Sequence, residues 1–489
     1  MATSRKGKYG SDSIYLMFVK CITIVSSMIQ TMILSRKLDV YDYGTYSQAI
    51  LIISISTTIF SIGLDSAVLY FFNRENDINK KKLYINNILT LSIIFGVIGF
   101  LLINIFKNEF TVYFNNEDIK NLIIYLSIKP LLNNLILILQ SLYISSGEAK
   151  FISIRNFVVS SMQLISIIII TNFTLNIATI IISMIAIDII QIIFLGWNFF
   201  REHFKLNICK IKFNLIRDIL KYSIPLGVAL MMGTLLKDMD KLLIGKFMST
   251  EDLALYTNVS KQLPFEFIVS SLTLVITPKI ISLANNNKIT DLKNILKSYI
   301  KIGYISTWIL AGGALSVAPE LLQFLYSEKY KAGLWIFVIY ILVDMARFTN
   351  FGMLLNANGK SKLILRYSIL TLAINFFLNI VFLKLMGMIG AAIASLLSII
   401  FVGFIQLYHG TKMLKISLIE ILDIKKIKAL ILQIIVFTII NIKVKEFLYK
   451  FIDSNFIILI IAYLIFILIM VLINGKDIKK LFKELNSIK

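Results

Sequence analysis

The residues of this chain that could do chemistry are charged side chains set inside long apolar runs. Arg347 lies in the middle of the run 332–356, and a guanidinium binds phosphate groups in bidentate fashion. Asp344 stands three residues earlier, so an intrahelical ion pair is the plainer alternative. Lys261 and Glu266, five residues apart, can meet a ligand or pair with neighbouring helices. Lys129 precedes Pro130, whose ring frees backbone carbonyls; the lysine can satisfy these or touch a ligand. Asp188 has no basic neighbour on its own run. It can couple an ion or a proton, or pair with Lys129 or Lys20. Lys20, Asp65, Lys279 and Lys301 lie near enough to the ends of their runs to snorkel. In "TLLKDMDKLLIGKF" (234–247) Lys237 and Lys241 share a helical face, Asp240 is three from Lys237, and Asp238 is three from Lys241. That cluster is either self-neutralising at an interface or a polar lip on a cavity.

These charges need explaining because of what surrounds them. The chain has 489 residues, 57% of them hydrophobic and only 16% charged, with a mean hydropathy of +0.82. A soluble domain carries about a quarter charged residues. The apolar residues fall in runs of about twenty, the length that crosses a bilayer as helix. The alternating ten-residue pattern of a membrane β-barrel does not occur. A charge at mid-helix costs about 2.5–3.5 kcal/mol on insertion scales, so each should face protein or a wet cavity.

Fourteen runs read as spans: 14–34, 46–72, 85–106, 119–145, 151–171, 175–199, 219–245, 252–283, 296–318, 332–356, 363–383, 387–409, 427–444 and 455–474. The stretch 14–34 is too long for a cleaved leader and lacks a small-x-small site, so it is expected to stay as the first helix. With both termini on the cytoplasmic side, the inner segments hold 31 Lys and Arg and the outer loops 11. This positive-inside bias accounts for the net charge of +22 without a nucleic-acid partner. Cys21 and Cys209, with His203 and His409, are too few for a structural metal site, and no cofactor is implied. "NANGKSK" (356–362) has Leu354 where a phosphate-binding loop needs glycine. Trp197, Trp308, Trp335 and the tyrosines read as interfacial anchors and core.

The chain also matches itself at an offset near 210 residues. Lys37 and Tyr46 recur as Lys246 and Tyr256, and "GEAKFI" (147–152) as "GKSKLI" (359–364). The expected architecture is an all-α membrane protein with two parallel six-helix repeats around a central cavity. The lobes are 14–199 and 219–409, joined by a basic linker at 200–218, with two added helices over 427–474.

Several stretches resemble one family. They are "DVYDYGTYSQA" (39–49), "SIGLDSAVLYFF" (61–72), "YSIPLGVAL" (222–230), "DKLLIGKFMSTEDLALY" (240–256) and "TPKI" (277–280). They resemble the Wzx-type flippases of lipid-linked oligosaccharides, in the polysaccharide transporter group of the multidrug/oligosaccharidyl-lipid/polysaccharide exporter superfamily. The resemblance implies a transporter in the cytoplasmic membrane that moves a polyprenyl-diphosphate-linked glycan from the inner to the outer leaflet. It implies cavity cations that hold the diphosphate and sugars, for which Arg347, Lys261, Lys129, Lys20, Lys237 and Lys241 are the candidates. Asp188, Asp65, Glu266, Asp344 and Asp240 are candidates for Na⁺ or H⁺ coupling or for charge pairing. Other polysaccharide assembly proteins are possible partners. A cation-coupled drug exporter of the same superfamily is the alternative, although the extra helix pair and the eight embedded bases speak against it. A membrane glycan polymerase is a third reading, disfavoured because no outer loop is large.

Overall fold

The structure is a computed structural model describing residues 5–202, 212–286, 288–357 and 360–487. All regular elements among these residues are helical. That is what hydrocarbon demands, since a helix satisfies its own backbone polar groups and an open strand does not.

The first helices are α1 (Arg5–Lys37), α2 (Val40–Ser61), α3 (Leu64–Arg74), α4 (Ile78–Ile105), the short α5 (Lys107–Phe114), α6 (Asp118–Ser145), α7 (Ala149–Phe173) and α8 (Ile177–Glu202). Then come α9 (Phe213–Phe247), α10 (Thr250–Val259), α11 (Glu266–Asn285), α12 (Ile289–Ser316) and α13 (Ala318–Tyr326). After a 3-10 turn at Glu328–Gly333 follow α14 (Leu334–Ala346), α15 (Met353–Ala357), α16 (Ser361–Met413), α17 (Leu418–Leu422), α18 (Ile424–Leu448) and α19 (Asn455–Ser487).

Among the described residues nine helical stretches are long and apolar enough to cross a membrane, or ten if α12 and α13, bent by 82°, form one span. The stretch Lys362–Met413 has 52 residues and turns back on itself at Gly387 (φ 60°, ψ −146°). Asn375 Nδ2 reaches the hydroxyls of Ser395 and Ser398 at 3.5 and 3.4 Å, so the two halves run antiparallel and the stretch crosses twice. Each of the fourteen apolar runs is occupied by helix, but three are interrupted in their interiors and a fourth, 296–318, breaks near its end at Val317. Run 46–72 breaks at Ile62 and Gly63, both left-handed (φ 47° and 69°). Runs 252–283 and 332–356 break in their interiors.

The chain forms two compact units, Met1–Ala254 and Leu255–Lys489. In the first, α6 packs against α2, α3, α4 and α8, and α1 against α7. Its core includes Leu64, Phe71, Ile88, Leu142, Leu195 and Ile219. Helix α9 packs here too, on α2, α3 and α4. A Cβ at Gly63 would lie 2.7 Å from the Ser223 carbonyl, and one at Gly227 2.5 Å from the Ile62 carbonyl carbon. Only glycine at both positions permits this crossing. Repeat counting and packing thus cut the chain at different places, the first at 200–218 and the second after Ala254.

In the second unit α12 is the central pillar, packed by α11, α14, α18 and α19. Gly312 and Gly313 admit Ile434, Phe466 and Tyr463 against its backbone. Polar ties hold α18 and α19 along it. Lys301 binds Asp423 at 2.6 Å and Lys426 binds Asp477 at 2.6 Å. At the other end both Glu320 oxygens accept from Lys445 at 2.9 Å, and one accepts from the Tyr449 hydroxyl at 3.1 Å. Between them Asn441 donates to Ser316 at 2.7 Å.

Two outcomes follow for stability. A Cβ at Gly390 would sit 2.0 Å from the Phe382 carbonyl oxygen, while one at Gly387 meets nothing within 4 Å. Gly390→Leu should therefore abolish folded protein in detergent, whereas Gly387→Ala should meet no clash but force a side chain into a backbone region that is essentially glycine-only, at a cost of about 1–3 kcal/mol, read as a lowered melting temperature. The Lys301 hydrogen bond holds the Asp423 carboxyl below the usual carboxylate range, helped by the Lys426 backbone N–H and opposed by burial. A depressed acid stabilises the fold above its unfolded pKa of about 3.9 and loses that effect as pH falls through its folded value. Lys301→Met should lower the melting temperature at pH 7, and the gap to wild type should close on acidification.

Candidate functional site

The two interior helix breaks lie in the second unit and abut one another. Helix α10 stops at Val259, and residues 260–265 run without helix past Pro264, which cannot donate and clashes with the preceding turn. Helix α14 stops at Ala346, and 347–352 are irregular up to α15. Asp344, with 1% of its surface exposed, accepts from the backbone N–H of Leu263 at 3.0 Å. A carboxylate from one broken helix therefore caps the break of the other. Lys261 stands in the first break and is exposed. Arg347 is the C-cap of α14, and its N–H donates to the carbonyls of Val343 and Asp344 at 3.2 Å. The sequence placed Arg347 in mid-helix; the structure places it where the helix ends. A basic residue at a helix C-terminus is favoured by the negative end of the helix dipole.

Helix α12 supports the second break. The Thr273 and Tyr299 hydroxyls bond at 2.7 Å, and Asn350 N–H donates to Tyr299 at 3.3 Å. Trp308 Nε1 donates to the Met345 carbonyl at 2.8 Å. Gly303 lets the Phe348 carbonyl come close enough that a Cβ would lie 2.2 Å from its oxygen. Irregular backbone at membrane depth is tolerated where it is buried in protein or lines a wet cavity. Each break thus carries one base, Lys261 in the first and Arg347 at the start of the second, and bases are the side chains that bind anions.

The first unit holds a second charged centre. Lys129 of α6 and Asp188 of α8 form an ion pair, each side chain 5% exposed. Gln191 Nε2 donates to the other Asp188 oxygen at 2.7 Å. Arg155 of α7 is buried and close enough to Asp188 for the charges to attract. It donates to Asn156 at 2.6 Å, and the Gln140 amide, turned to present its oxygen, accepts from both Nη atoms at 2.9 and 3.2 Å. The centre thus carries two cations against one carboxylate.

On α9, Lys241 donates to Asp238 at 2.9 Å, and both side chains are largely buried. Asp240 is 2% exposed and accepts from the Lys241 backbone N–H at 2.9 Å. Lys237, three residues before Asp240, is exposed. Asp65 is half-buried in the first turn of α3, beside the Gly63 break. The side chains of Lys20 and Glu266 lie outside the described residues. Among the described residues no three His, Cys, Asp or Glu side chains could hold a metal ion.

Sequence reasoning missed the breaks and Arg155. Pro264 inside an overlong run was the available signal for the first break. Thr349, Asn350 and Gly352 were a weaker signal for the second. Arg155 lies at the start of the run 151–171, where a cation reads as solvated, and nothing in its neighbours marks it as buried.

Among the described residues the fold and its interrupted helices define a multi-pass, all-helical membrane protein. A family model described as "Polysaccharide biosynthesis protein" matches residues 33–334. The chain belongs to that family. No curated protein matches it. Among solved structures it is similar to the lipid II flippase MurJ in an inward closed conformation, with TM-score 0.70 and 14% identity over 95% of this chain and 99% of that one. An inward-facing multidrug resistance MATE transporter of the MOP superfamily gives TM-score 0.65 at 12% identity, over 80% of this chain and 94% of that one. A MOP superfamily transporter from Pyrococcus furiosus gives 0.57 at 13%, over 82% and 94%. These likenesses establish a shared fold.

Removing one member of a buried pair leaves an uncompensated charge, at a cost of about 3–5 kcal/mol. Lys129→Met or Asp188→Leu alone should sharply lower the melting temperature in detergent. The double variant should recover most of the loss, and additive losses would mean that the pair is not a thermodynamic unit.

Proposed function

We propose that this protein flips a polyprenyl-diphosphate-linked oligosaccharide from the inner to the outer leaflet of the cytoplasmic membrane, by alternating access, for surface polysaccharide assembly. The observation that carries this reading is the pair of abutting helix breaks with Lys261 and Arg347 at their ends. A diphosphate is a dense anion with oxygens for both backbone donors and a guanidinium fork, and such donors act strongly where water is scarce. Membership in a polysaccharide biosynthesis family supports a glycan as the cargo. The full-length likeness to a lipid flippase supports a lipid-linked one, since it extends over the share of the chain that the drug exporters leave uncovered. On this reading Lys129, Lys237 and Lys241 are further contacts for phosphate or sugar, and Asp188, Asp65, Asp344 and Asp240 serve coupling or charge pairing. Both termini face the cytoplasm.

The buried carboxylates Asp188, Asp238 and Asp240, with the likeness to MATE transporters, favour a second reading as a cation-coupled multidrug exporter. One experiment separates the two. In a strain lacking the gene, polyprenyl-diphosphate glycans are extracted after treatment with an impermeant sugar-cleaving reagent. Inner-leaflet accumulation that the restored gene clears supports flipping. Absence of such lipid, with increased killing by cationic toxins, overturns it. Arg347→Ala should cut flipping about tenfold or more at unchanged protein level, as expected for loss of a charge-assisted contact, and Arg347→Lys should keep part of it.

A further inference from the structure

Two cavities meet at one lysine at the end of the first unit where α3, α4 and α9 converge. The first has a volume of about 600 Å³ and is walled by aromatic rings. Tyr70 and Tyr222 stack at 4.1 Å between centroids and 17° between planes. Phe71 and Tyr84 stack at 4.4 Å and 14°. Phe71 turns its edge to Tyr70 at 5.0 Å and 84°, which joins the two stacks into one wall. The Arg74 guanidinium lies 5.4 Å from the centroid of the Tyr70 ring. Around the rim stand two acids, Glu75 and Asp218, and a second base, Lys221.

The second cavity, about 590 Å³, opens on the apolar side of the first turns of α9. Phe213, Ile216, Leu220, Ile224 and Pro225 line it, and its charged residues are Arg217 and again Lys221. Phe213 is 82% exposed and Ile224 45%, a large apolar surface next to a polar one. Lys221 and Arg217 stand four residues apart on α9, on one face.

Each part has a chemical preference. Stacked rings bordered by carboxylates and bases suit a pyranose, whose C–H face packs on aromatics while its hydroxyls bond the charged rim. An exposed apolar groove suits a hydrocarbon chain. Two cations at the junction suit the anion that joins sugar to chain. We infer that this double cavity is a capture site for an isoprenoid-diphosphate glycolipid, with the sugar against Tyr70 and Tyr222, the diphosphate at Lys221 and Arg217, and the chain along Phe213–Pro225. This rests on the flippase reading above and adds a docking step separate from the helix breaks of the second unit. On the positive-inside reading the site faces the cytoplasm, the side on which such a lipid would be loaded.

The test uses full-length protein in nanodiscs. The probe is a C35 polyprenyl-diphosphate N-acetylhexosamine disaccharide with a photoreactive group at the far end of the isoprenoid chain. We expect cross-links on 213–225. Lys221→Met should raise the probe's Kd about tenfold, as for loss of one charge-assisted contact, and Lys221→Arg should restore it. Lys221 is exposed, so folding should be unaffected. Tyr222→Ala should weaken the disaccharide probe but not the same lipid diphosphate without sugar, and Tyr222→Phe should bind as wild type. Phosphatidylglycerol should compete at least tenfold more weakly than the probe. Equal competition would make the groove an ordinary lipid contact and overturn the inference. If wild-type protein flips the glycolipid in proteoliposomes while Lys221→Met and Tyr222→Ala bind and flip it unchanged, the capture site falls and the flippase reading stands. If wild-type protein neither binds nor flips it, both fall.

Discussion

The constraint on which this structure depends is the absence of water as a partner in hydrocarbon. Each backbone N–H and carbonyl must be satisfied within the protein, and each charge must be paired or given a wet surface. Continuous helices meet the first demand. The second explains why buried charges here meet opposite charges at such short range: Lys129 with Asp188, Lys241 with Asp238, and Lys445 with Glu320. In water such pairs contribute little. In a bilayer the alternative to pairing is an isolated ion, so the two pairs that join different helices, Lys129–Asp188 and Lys445–Glu320, specify which helices must be neighbours.

The same constraint gives the interrupted helices their meaning. A break at membrane depth strands polar backbone groups, and a chain selected only for stability would avoid it. Here the break at 260–265 is held by a carboxylate from the other broken helix, and the break at 347–352 is braced by Tyr299, Trp308 and the bare backbone of Gly303. Such bracing holds the backbone of each break in place.

What was legible in the sequence follows from the range of each interaction. The spans were legible because burial in lipid is written in composition over twenty residues. The Asp238–Lys241 pair was legible because helical geometry puts i and i+3 together. Lys129 and Asp188 could be singled out as costly charges, but their pairing was one option among several, because 59 residues separate them. Glu320 and Lys445 were not singled out. Both lie at the ends of apolar runs, where a charge reads as solvated, and only the 82° bend into α13 and the packing of α18 bury them. Arg155 was lost for the same reason.

Helix α9 shows how a local requirement can override a repeat. By sequence period it begins the second copy. By packing it belongs to the first unit, because Gly227 meets the Ile62–Gly63 break of the α2–α3 pair with no side chain between them. A glycine-on-glycine crossing brings backbones into contact and lets neighbouring hydroxyls bond, as Thr58 and Thr234 do at 3.2 Å. The first turns of α9 then stand beside α3 and α4, and the ring wall of Tyr70, Phe71, Tyr84 and Tyr222 forms from three separate helices. Two glycines at positions 63 and 227 thus determine where that aromatic surface lies and which side chains face the groove next to it.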